Sequence, residues 1–181
     1  GPGSGTAGGA TVSLGPNTAG AGANATGPGT QAWTNTSGVT GVGPAATVNL
    51  PAIAPESKFL YATNFGFAGI PGGAPILGIE VKVTKGVSSA AADMIFDDGL
   101  RLLRAGSLVG NDLSSAVAWS TGGVTTYGGP TELWGITDWV AADFNAVANF
   151  GVAIAVQSTD SVTRSPFVNL VTITIYYTTG T

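Results

Sequence analysis

The sequence has no histidine and no cysteine. There is therefore no imidazole base, no thiolate nucleophile, no disulfide and no ordinary zinc site. Stability has to come from packing. Charge is almost as scarce: six Lys or Arg and ten Asp or Glu, 9% of 181 residues, against roughly 25% in an average soluble domain. A monomer of this mass exposes roughly 8,000 Å². Sixteen charges leave that surface thinly covered, so much of it is expected to face other protein. A net charge of −4 supplies no basic patch and argues against nucleic acid as a partner. No apolar run approaches the roughly 18 residues of a membrane-spanning helix, and no membrane insertion is expected. The first residue is not Met, and Gly1-Pro2-Gly3-Ser4 has the composition of an expression scar.

What is present divides into two unlike parts. Residues 1–55 hold no Asp, Glu, Lys or Arg, and the stretch Gly20 to Thr30 is low-complexity Gly, Ala, Asn, Thr and Pro. Residues 1–30 carry few large side chains beyond Val12 and Leu14. Such a segment has little to bury against its own domain, which predicts an extended assembly arm. Neighbouring subunits are expected to hold it through backbone hydrogen bonds, with Val12 and Leu14 as apolar anchors. Residues 31–181 form the domain proper.

From Phe59 onward the hydrophobic period is two, the mark of half-buried strands. Ile79, Val81 and Val83 alternate with Glu80, Lys82 and Thr84. Val152, Ile154 and Val156 form a second inward set, Val171, Ile173 and Ile175 a third, with Thr174 at the surface. Asp98-Gly99 reads as a tight hairpin turn. Gly122-Gly123 reads as another, between strands at Ala116–Ser120 and Val124–Tyr127. Val140–Asn145 is a helical segment of about one turn. Roughly eight strands without helical crossovers predict an all-β, antiparallel two-sheet sandwich, with the jelly roll as the favoured arrangement.

Chemistry is sparse. Gly41-Val42-Gly43-Pro44-Ala45-Ala46 mimics a dinucleotide fingerprint but lacks the strand, the helix and the free backbone such a site needs. Asp93, Asp97 and Asp98 lie close in sequence, yet Asp-Asp-Gly is ordinary turn chemistry and the spacing is not that of a calcium loop. No catalytic residue, metal or cofactor is expected. Asn24-Ala25-Thr26 and Asn35-Thr36-Ser37 are glycosylation sequons, frequent by chance in Thr-rich sequence. Trp119, Tyr127, Trp134 and Trp139 fall close together. They suit the core or a subunit contact, and exposed rings of this kind stack on sugars, so a host-surface glycan is a candidate ligand.

The order Tyr127-Gly128-Gly129-Pro130-Thr131-Glu132-Leu133-Trp134-Gly135, Trp139, Asp143-Phe144-Asn145, Phe150-Gly151-Val152 and the closing Val171 to Thr178 resembles a β-sandwich found in bacteriophage and prophage structural proteins. These include head decoration, head fibre and tail-associated proteins. Phe65-Gly66-Phe67, Pro71 and Ile76 to Val81 fit the same pattern, so the resemblance covers about residues 31–178. It implies a non-enzymatic protein at the virion surface, a homo-oligomer whose partners are its own copies and major capsid or tail proteins. Two other classes fit the residues: a secreted cell-surface filament subunit polymerising by strand exchange, and a carbohydrate-binding module.

Overall fold

The computed structural model describes residues 9–179, and Gly1–Ser4 lies outside them. Eleven strands follow one another: β1 Thr11–Thr18, β2 Ala21–Ala25, β3 Trp33–Thr34, β4 Ala46–Val48, β5 Phe59–Thr63, β6 Ile76–Gly86, β7 Ile95–Arg104, β8 Ser107–Val109, β9 Gly123–Gly128, β10 Gly151–Ser158 and β11 Phe167–Thr178. One sheet has the order β3-β4-β11-β6-β9, with β1 also on β11; the other runs β2-β5-β10-β7-β8. Every strand pairing is antiparallel. The chain crosses between the sheets at every connection except β3–β4 and β7–β8. Four strands, β4-β11-β6-β9, thus face four others, β5-β10-β7-β8, which is the jelly-roll order. The expected helical segment is a 3-10 turn at Ala141–Asp143.

The three inward sets meet between the sheets. Ile79, Val81, Val83, Val152, Ile154, Val156, Val171, Ile173 and Ile175 are all buried. Phe65, Phe67, Trp139, Phe144 and Phe150 close one end of the core, several ring pairs meeting edge-to-face. Thr174 was expected at the surface and is buried instead, where the backbone of Gly15 in β1 comes close to it.

The predicted arm is corrected by the structure over its described part. β1 pairs with β11 from Thr11↔Thr178 to Thr18↔Thr172, and β2 pairs with β5 from Ala21↔Thr63 to Ala25↔Phe59. Residues 11–25 thus add a strand to each sheet of their own sandwich, and no domain boundary falls at residue 30. Val12 and Leu14 are anchors, but against their own core. The segment holds because it needs little side chain. At Gly22 a Cβ would come within 1.9 Å of the Thr36 carbonyl oxygen, so only glycine lets β2 lie this close to the 3-10 turn at Thr36–Thr40. Asn24 then clasps the Trp33 backbone, its Oδ1 accepting from Trp33 N (2.8 Å) and its Nδ2 donating to Trp33 O (2.9 Å). The side-chain nitrogen of the first sequon thus gives one of its two N–H groups to this contact.

Both expected hairpins are also corrected. Asp98-Gly99 lies inside β7, where the pairing with β10 slips between Gly99↔Ala155 and Asp97↔Val156. Asp98 is the extra residue of a β-bulge. The bulge switches the inward phase from Ile95 and Asp97 to Leu100 and Leu102. Around Gly122-Gly123 only β9 is a strand, and it pairs with β6 rather than with Ala116–Ser120.

Candidate functional site

The inward phase of β6 runs Ile79, Val81, Val83 and then Lys85. Period-two geometry therefore drives a lysine into the core at the edge of the sandwich. Opposite, the last inward residue of β7 before its bulge is Asp97. The two side chains meet between the sheets, Lys85 Nζ donating to Asp97 Oδ1 at 3.1 Å. Tyr127 of β9, paired with Val81, reaches the same point. Its hydroxyl accepts from Lys85 Nζ (2.5 Å) and donates to Asp97 Oδ2 (2.8 Å). Trp119 Nε1 donates to Oδ1 (2.8 Å) and Ser115 N to Oδ2 (2.9 Å). Asp97 thereby pins the loop between β8 and β9 over the pair. The ammonium stands 4.4 Å from the Trp119 ring centroid and 5.1 Å from that of Tyr127.

Burial dominates the electrostatics. It lowers the Lys85 pKa, opposed by the charge and hydrogen bond of Asp97. It drives the Tyr127 pKa far upward, aided by the same carboxylate. A cleft of about 320 Å³ opens beside the group, lined by Lys85, Ser115, Val117, Trp119, Val124 and Thr125 among others. The arrangement places an amine, a carboxyl and a phenol in mutual hydrogen-bonding contact in a mostly apolar setting.

A second ionisable group forms where the bulge turns Asp98 away from Asp97. Asp98 Oδ2 is enclosed without a protein hydrogen-bond donor. Desolvation, the adjoining Glu56 carboxyl and the charge of Asp112 push Asp98 up to about 7. Asp112 is itself engaged, accepting from Leu100 N (3.0 Å) and Ser114 N (2.9 Å). Asp93, Asp97 and Asp98 do not converge, and no cluster of three acids suited to a metal occurs among the described residues.

Of the readings open to the four aromatics, the structure places them in the core. Trp119, Tyr127, Trp134 and Trp139 are all buried, none above 6% exposed, so they offer no open platform to a sugar or a subunit. Their polar atoms are used internally: Trp134 Nε1 donates to Ile79 O (2.9 Å) and Trp139 Nε1 to Leu133 O (3.0 Å). The structure brings Trp119 and Tyr127 together with Lys85 and Asp97, and leaves Trp134 and Trp139 elsewhere. Sequence reasoning missed Lys85, although a charge in the inward phase of an otherwise apolar strand was the available signal.

No protein-family model and no curated protein sequence matches the chain. A solved chain titled "CBM4 structure and function" is similar in structure at 18% identity, covering 71% of this chain and 82% of that chain, with a TM-score of 0.38.

Proposed function

We propose that this chain is a non-enzymatic structural subunit of a virion surface, of the capsid-decoration, head-fibre or tail-associated kind, working as a multimer beside major capsid or tail proteins. The observation that carries the reading is the fate of its few charges. Four of the six cations are paired within the chain: Lys85 on Asp97, Arg104 on Asp138 and Asp143, Arg164 on Asp160, and Lys82 on Glu80. Glu132 and Asp112 accept backbone N–H groups. Between the few exposed charges, such as Lys82, Asp93, Asp112 and Asp138, the surface is largely Ser, Thr, Gly and Ala with isolated Val and Ile53, a surface suited to lasting contact with other protein.

The outer edge of β9 supports the same reading. It is the last strand of its sheet, its sequence Gly-Val-Thr-Thr-Tyr-Gly carries no charge or proline, and such unguarded edges accept a further strand. Val117 (75% exposed) and Val124 (61%) sit on the rim of the adjoining cleft. Attachment through this edge replaces attachment through residues 11–25, which are already paired.

Light scattering of the purified chain, with immunogold microscopy of particles from its source, tests the proposal. A multimer that Val124→Lys dissociates, and label on particles, are expected. A monomer absent from particles that binds a glycan array would overturn it in favour of a carbohydrate-binding module.

A further inference from the structure

We propose that Lys85 and Asp97 are joined in the mature protein by an intramolecular amide bond that the fold itself forms, with Tyr127 relaying the proton. The bond would be a covalent tie between the two sheets in a chain that has no cysteine for a disulfide.

The geometry is that of poised reactants. The amine and the carboxyl are held 3.1 Å apart, N to O, by elements of opposite sheets, which raises their effective concentration far above that of free groups. One hydroxyl, that of Tyr127, touches both the attacking nitrogen and Oδ2. Trp119 Nε1 donates to the other oxygen, Oδ1, where negative charge would build in a tetrahedral intermediate. Burial favours the neutral, nucleophilic amine over the ammonium.

The step balances without any co-reactant. A proton passes from Nζ to the carboxylate, leaving amine and acid. Nζ forms a bond to Cγ, and Oδ1 takes the electron pair. Tyr127 protonates Oδ2 and recovers a proton from Nζ. The Cγ–Oδ2 bond breaks, Oδ1 returns its pair, and one water departs into the adjoining cleft. Ammonium plus carboxylate has become amide plus water. The driving force is the cost of keeping two ions out of water, which a neutral amide does not bear.

Intact mass measurement of the unfolded full chain tests this. The expected mass is one water below that of the sequence. Trypsin acting on the unfolded chain should then cut after Lys82 and Arg101 but not after Lys85, yielding Val83–Arg101 as one closed piece. Lys85→Arg should restore the full mass, and Asp97→Asn should lose ammonia instead of water. Tyr127→Phe should slow closure after refolding by ~100-fold or more, the usual worth of a positioned proton donor. If these variants do not fold, the wild-type mass and digest still decide. A full mass with cleavage after Lys85 overturns the proposal. So does a lost water with Lys85 still cleavable, because Asp98-Gly99 can dehydrate to a succinimide by itself.

Discussion

Replacing Asp98 with asparagine should stabilise the protein at neutral and alkaline pH and do almost nothing in acid. The Asp98 carboxyl is raised from 3.8 to about 7, by desolvation first and then by Glu56 and Asp112. A carboxyl whose native pKa lies above its unfolded one binds its proton more tightly when folded. Stability is then greatest with the group protonated, falls as pH rises through the window from about 4 to about 7, and is level above it. A shift of that size is worth about 4 kcal/mol at face value. Asp98 is only half-buried, and solvent screening reduces the figure to ~1–2 kcal/mol.

The asparagine side chain would carry no charge to desolvate, and its amide N–H could donate to Glu56 where Asp98 Oδ2 now lacks a donor. Urea unfolding of both proteins at about pH 4 and about pH 8, supported by calorimetry, measures the difference. Asp98→Asn should gain ~1–2 kcal/mol at the higher pH, or ~2–8 °C in Tm for a domain of this size. A variant less stable than wild type at pH 8, or equally improved at both pH values, would refute the reasoning.

Ile173→Ala should cost about 2–5 kcal/mol through lost transfer energy and a residual cavity, while Thr172→Ala stays within about 0.5 kcal/mol; chemical denaturation compares them. Deleting residues 1–18 strips β1 from β11 and exposes the half-buried Val12 and Leu14, so Tm should fall by the equivalent of ~1–3 kcal/mol, and an unchanged Tm would mean that β1 adds nothing. Gly22→Ala should loosen β2, seen as faster amide exchange at Ala21–Ala25, because its Cβ has no room beside the Thr36 carbonyl.

The sandwich was legible because period two holds over the central stretches of β6, β10 and β11. Ile79, Val81 and Val83 announce an inward face whatever covers them. The β-bulge was not legible, because Asp-Asp-Gly has the same chemistry in a turn as in a bulge. Only the pairing of β7 with β10 along its length distinguishes the two. Its position matters to the site: the bulge sends Asp97 inward to Lys85 and Asp98 outward to Glu56, so two adjacent carboxyls enter opposite electrostatic environments.

The first strands escape a sequence reading for a different reason. Judged by apolar side chains, residues 11–25 have little to bury, and a free arm follows. That criterion omits what a strand contributes through its backbone. β1 and β2 satisfy open edges of β11 and β5, and a backbone N–H or C=O left unpaired in a buried edge costs more than a made hydrogen bond contributes. Glycine and alanine are then an advantage, since they let a strand lie against a neighbouring turn that larger residues would hold off. The same logic leaves β9 as the conspicuous edge. It is as free of charge as β1 and β2, and no described strand covers its outer side. In a surface with so few ions, that edge is where a second protein would find the least to displace.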